Sequence, residues 1–180
     1  MTDTAAAPLN PSAAPAAPEG LSFRELMAYT DEETRRWEAW FRNAPAALEV
    51  KLGEGRWKTV GELIYHVFMV ERRYADRLIG EPVTPYAEPT PREVDAIFAE
   101  YPEARRRLER FVAQATPAEW GETITFETIA AGTLTASKRK IVAHALVHGV
   151  RHWAQIATAL RQAGQGEQWM HDLLGSSALA

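Results

Sequence analysis

The chain of 180 residues contains no cysteine, which removes disulfide bonds, thiolate metal sites and a cysteine nucleophile at once. Any thiol chemistry needs a thiol from outside. Basic residues are not in excess either: 20 Lys and Arg stand against 24 Asp and Glu, a net charge of -4. General affinity for nucleic acid or for anionic membranes is therefore not expected. Apolar stretches are broken by charge well before the roughly 18 residues that a membrane span requires. The first 20 residues, MTDTAAAPLNPSAAPAAPEG, have no Lys or Arg and no continuous apolar run. This is not a signal-peptide pattern, and it reads as a disordered Ala/Pro-rich tail. The expectation is a soluble, cytoplasmic protein with neither nucleic acid nor membrane as partner.

What is present is globular. Hydrophobic residues make up 46% and charged residues 24%, as in ordinary folded domains. A chain of this length forms one domain and buries roughly two-thirds of its unfolded surface. Ser22 and Glu25 have the spacing of a helix N-cap pair, and a first helix is expected over 22–43, before Pro45. Thr59 and Glu62 repeat that spacing before Leu63, His66, Val67, Val70, Tyr74 and Leu78, which recur at helical period until Gly80. Thr90, Pro91 and Glu93 open a third helix over about 91–115, with a kink expected at Pro102. The Thr- and Gly-rich segment TPAEWGETITFETIAAGTLTAS suits a hairpin or an extended crossover. Ser137 then caps a fourth helix that is apolar nearly all round and ends at Gly164, as a helix at the centre of a bundle would be. A final turn is expected to pack through Trp169, Leu173 and Leu174. The pattern predicts an all-α four-helix bundle over 21–175, with the crossover or short hairpin between helices three and four.

Three of the five histidines fall in HALVHGVRHWAQ, residues 144–155, at four-residue steps. Each step turns about 40° and rises about 6 Å on a helix, so His148 and His152 can aim at one point. The span from His144 to His152 is about 80°, too wide for all three to meet one ion. A lone histidine on an apolar face is ordinarily a core residue with one satisfied ring nitrogen. Three on one helix, with His66 on the apolar side of another, each need polar partners that apolar neighbours do not supply. One divalent metal would serve several together.

His66 in GELIYHVFMVERRYADRL and the pair His148 and His152 in HALVHGVRHWAQIATALRQAG resemble the DinB superfamily. Its pattern is a histidine on the second helix and a pair four apart on the last long helix, followed by glutamine and a terminating glycine. The resemblance covers about residues 22–175. It implies a four-helix bundle in which His66, His148 and His152 hold one divalent metal, zinc or nickel, with positions open to water or substrate. His144 matches a histidine found one turn earlier in the family and outside the usual ligand set. Many members continue the pair as His-Arg-Gly-Gln, whereas this chain has HWAQ. A basic contact is missing there, and Arg151 or Arg161 would have to replace it. Relatives include transferases and isomerases that use low-molecular-weight thiols, and homodimers are expected by analogy.

Three neutral histidines leave a metal its full charge and an open position, which lowers the pKa of bound water or thiol. Either a thiol transferase or a hydrolase acting on a small molecule is consistent with that site. The alternative is a non-catalytic bundle, with a structural metal or none, that works through dimerisation or partner binding. Glu62, four before His66, would either orient that ring or simply cap its helix. Gln155, three after His152, would either bond near the site or be an ordinary buried glutamine. Glu71, about 140° around its helix from His66, reads as surface or interface. Arg72, Arg73 and the run RRRLER at 105–110 read as solvated faces or ion-pair partners, and His171 as remote from the metal.

Overall fold

The chain folds into long amphipathic helices, as seen in a computed structural model that describes residues 20–128, 131–167 and 169–179. The Ala/Pro-rich tail lies outside the described residues, apart from Gly20. Helix α1 spans Phe23–Asn43, and its start is fixed by reciprocal bonds between Ser22 and Glu25. Helix α2 spans Val60–Ile79; Thr59 caps it, and Gly80 ends it in the left-handed conformation at φ 72. A short 3-10 turn, Pro45–Glu49, joins the two. Gly61 lets this turn lie close to α2, since a Cβ there would meet Leu48 Cβ at 3.3 Å.

The expected third helix is two helices, α3 over Val94–Phe98 and α4 over Glu100–Gln114. The break falls at Ala99 and not as a kink at Pro102. A continuous helix would drive the Pro102 ring into the carbonyl four residues before it. Breaking earlier places Pro102 in the first turn of α4, where its missing N–H has no partner to lose.

A short helix, α5 over Pro117–Gly121, precedes an antiparallel hairpin of β1, Thr123–Thr128, and β2, Gly132–Ser137. Their register pairs Thr123 with Ser137 and Thr128 with Gly132. Ser137 then caps α6, Lys138–Gln162. The fold is thus mostly helical with one small sheet. No helix is long and apolar enough to cross a membrane among the described residues.

Helix α2 is the pivot, packed on α4 along one side and on α6 along another. One apolar cluster gathers Trp37, Phe41, Tyr65, Phe68, Trp153 and Ile156, and a second gathers Met27, Leu78, Leu108, Phe111, Ile141 and Leu146. Trp37 stacks on Trp153 at 5.6 Å between ring centroids, tying α1 to α6. Helix α6 is not enclosed on every side as its sequence suggests: Val147 is 57% exposed, and His144, Arg151 and Gln155 are exposed beside it. That open side faces a cavity.

For Glu71 the interface alternative holds and for Arg105 the ion-pair one, and neither is solvated: they are 6% and 5% exposed and approach to 3.2 Å between α2 and α4. One other expectation fails. Leu174 does not pack, at 98% exposure. The C-terminal segment is held instead through Trp169, edge-on to Trp37 at 4.8 Å, and through His171, stacked on Trp37 at 5.2 Å.

Candidate metal centre

Where α2 and α6 meet, Gly149 faces Val67, whose Cγ1 lies 3.7 Å from the position a Cβ would take. These are the residues directly after His148 and His66, so the close approach of the helices brings the imidazoles together. Each of His66, His148 and His152 offers a ring nitrogen, and the three nitrogens lie within 4.8 Å of one another. The His66 ring is 5.0 Å from that of His148 and 5.4 Å from that of His152. The Nε2 atoms of His148 and His152 are 3.1 Å apart.

The ring protons are placed by the neighbours. His152 Nδ1 donates to Gln155 Oε1 at 2.5 Å, because a carbonyl oxygen can only accept. The lone pair of His152 is thereby on Nε2, facing His148. His66 Nδ1 lies 3.1 Å from the Tyr86 hydroxyl, and Trp57 stacks on its ring at 4.3 Å. His148 Nδ1 is buried with no hydrogen-bond partner among the described residues. Burial, reinforced by His152, Arg56 and Arg151, pushes His66 down to about 3. Burial and the neighbouring His152, His66 and His144 push His148 down to about 2. Burial also lowers His152, against the hydrogen bond to Gln155. All three rings are neutral near pH 7, the state in which imidazole ligates.

Such a donor set fits a divalent cation. Two imidazole nitrogens on one tetrahedral ion at about 2.0–2.1 Å sit roughly 3.3 Å apart, close to the 3.1 Å between His148 and His152. The bond from His152 to Gln155 is the kind of outer contact that fixes a ligand's tautomer.

The remaining candidates separate. His144 lies one turn away, its ring 5.5 Å from His148 and edge-on to Tyr74 at 5.4 Å. Glu62 accepts from the Lys58 N–H at 2.7 Å, so its carboxylate serves the start of α2 and not the His66 ring. His171 bonds to Glu33 and Glu167, far along the chain from the trio. Trp57 and Tyr86, which hold His66, come from loops; no periodic signal marks them in the sequence.

A family model of the DinB superfamily matches residues 53–156, a stretch that contains all three histidines. The chain belongs to the DinB superfamily. No curated protein matches it. Within this DinB chain, the residue pattern HWAQ leaves Trp153 in the core, 4% exposed, and the basic group beside the site comes from Arg151. Its Nη2 lies 3.4 Å from His152 Nε2, whereas Arg161 pairs with Glu167 at 2.8 Å and does not line the cavity. That cavity, about 1060 Å³, opens over the three histidines and is walled by Trp57, Tyr74, Tyr86 and residues of α6.

Proposed function

We propose that this DinB-like domain, a four-helix bundle over about residues 21–175, is a metal-dependent enzyme that acts on a small molecule. His66, His148 and His152 would hold one divalent ion, zinc or nickel. The convergence of their nitrogens within 4.8 Å carries this reading. When bound, such an ion supplies the Lewis acidity that makes a thiol or a water nucleophilic near neutral pH. The chain has no cysteine, so a thiol would come from a low-molecular-weight donor. We place thiol transfer ahead of hydrolysis.

The protein's own groups have distinct tasks. Gln155 keeps the His152 proton on Nδ1 and so keeps Nε2 turned inward. Tyr86 and Trp57 hold the His66 ring from two sides. Burial keeps the imidazoles neutral, so they hold a cation without cancelling its charge. The open cavity over the trio, far larger than an ion needs, favours catalysis over a purely structural metal. Incubation of the full chain with small electrophiles and a panel of low-molecular-weight thiols tests the reaction. Thiol-dependent consumption of an electrophile is expected, and thiol-independent consumption would assign hydrolysis instead. Zero turnover across the panel would contradict the enzyme reading.

A further inference from the structure

The chain carries a net charge of -4, yet the cavity over the histidines has the opposite sign. Lys51, Arg56, Arg73, Arg77 and Arg151 line it, and among the described residues no Asp or Glu does. Glu54 sits between two lining glycines without reaching the wall. The cations come from three separate places: the loop after α1, helix α2 and helix α6. Several half-buried arginines elsewhere are neutralised by carboxylates. Arg72, next to Arg73, pairs with Glu100 at 2.7 Å; Arg107 pairs with Asp76 at 2.6 Å; Arg110 pairs with Glu81 at 2.6 Å. No such carboxylate partner serves the five cavity cations among the described residues.

Arg73 and Arg77 are half-buried in the wall. They are held by main-chain carbonyls: Arg73 donates to Thr84, and Arg77 donates to Arg73 at 2.8 Å and to Glu127 at 2.9 Å. Aromatic faces support them as well, with Arg73 over Tyr86 at 5.3 Å and Arg77 over Phe126 at 5.1 Å. Carbonyls and rings orient a guanidinium but do not cancel its charge. The cost shows at Arg77, whose pKa is lowered by burial and by the neighbouring Arg73. A cleft of one sign with low-dielectric walls concentrates ligands of the other sign.

From this wall we infer that the substrate is an anion: a small molecule whose carboxylate or phosphate group docks on the arginines while its reacting end lies over the histidine trio. The inference deepens the enzyme reading by naming a substrate class, and it rests on that reading for the cavity's purpose. The arginine contacts themselves do not depend on the metal. An oxyanion accepts paired N–H donors from a guanidinium, so the wall would fix the orientation of the substrate in advance of reaction.

The test is calorimetric titration of the full chain, both stripped on a chelating resin and loaded with zinc. Succinate, inorganic phosphate and the uncharged succinamide are the probes. Arg56 and Arg151 are exposed and have no ion-pair partner among the described residues, so an Arg56→Gln, Arg151→Gln double variant should fold. Arg73→Gln probes the half-buried wall, and Lys140→Gln, off the wall, serves as the control. Succinate or phosphate is expected to bind both forms at least tenfold more tightly than succinamide. Affinity should fall at least tenfold in the double variant and in Arg73→Gln, fall with added salt, and stay unchanged in Lys140→Gln. The tighter of the two anions identifies the group. Equal binding of succinate and succinamide, or anion binding untouched by the arginine changes, would overturn the inference. Anion binding seen only with zinc and indifferent to the arginines would also overturn it while leaving the metal reading intact. Arginine-dependent binding in a chain that takes up no zinc would support the inference and sink the metal reading.

Discussion

His148 Nε2 and His152 Nε2 face each other at 3.1 Å, one helical turn apart on α6. Because His152 spends its only proton on Gln155, this contact is either one shared hydrogen bond or a pair of lone pairs waiting for a cation. His66 reaches the same place from α2.

Added zinc should therefore stabilise the native chain. A ligand that binds only the folded state contributes about 2.7 kcal/mol when its concentration is 100 times its Kd. Thermal melts should rise with zinc in the wild type and stay flat in His66→Ala. An equal rise in the variant would show that His66 is not a ligand.

Gln155→Leu removes the acceptor that fixes the His152 tautomer. Metal affinity should drop about 10- to 100-fold, as for other outer-shell contacts, while metal-free stability changes little at this exposed position. Competition against a zinc indicator dye reads the affinity, and an unchanged value would remove Gln155 from the site.

The metal-free protein should lose stability in acid for a specific reason. His66 and His148 are lowered by burial to about 3 and about 2, whereas an unfolded histidine titrates near 6.5. Above about pH 6.5 both states are neutral and nothing is lost. Below it the unfolded chain takes up protons that the folded one refuses. The slope approaches about 1.4 kcal/mol per pH unit for each histidine until the folded values are reached. Urea denaturation between pH 7 and 5 should show this loss, reduced in His148→Ala.

His171 behaves oppositely. Burial resists its protonation, but the hydrogen bonds that its ring nitrogens donate to Glu33 and Glu167 outweigh that and raise its pKa. Its contribution is full below about pH 6.5 and disappears as pH rises through the raised value. Raising the pH should loosen the C-terminal segment, seen as faster proteolysis there, and His171→Gln should show that looseness at every pH.

Burial of Glu71 against Arg105 gives a further test. Burial pushes Glu71 up while Arg105 opposes it, and Arg105 stays charged because Glu71, Tyr101 and Asp31 offset its own burial. Arg105→Met strands a carboxyl group and should cost about 3–5 kcal/mol. The Glu71→Leu, Arg105→Met double variant should recover most of it in chemical denaturation. No recovery would mean that the packing, and not the charge pair, is what matters.

Local signals in the sequence were enough for the starts of α1, α2 and α6 and for the end of α2. They were not enough for α3, which begins at Val94 and not behind a Thr90 cap, or for α5, and the hairpin was one of two readings they allowed. Ser22, Thr59 and Ser137 each cap as their spacing predicts, and Gly80 stops α2. Periodicity said which residues lie on one side of a helix, but not how many sides are covered. Glu71 is about 140° around α2 from His66, so it reads as surface or interface. It is buried because α4 covers that side while α6 covers the other. The break at Ala99 was hidden because Pro102 marks a fault without saying which side of it the helix yields. The basic wall was invisible for a different reason. Its members lie at 51, 56, 73, 77 and 151, and only the fold sets them around one cavity.

Metal analysis of the chain purified without an affinity tag, beside a His148→Ala, His152→Ala double variant, tests the central claim most directly. The expected result is close to one divalent ion per wild-type chain and none in the variant, with both proteins folded. A wild type that carries no stoichiometric metal even after zinc is supplied, or a variant that retains it, would contradict the account.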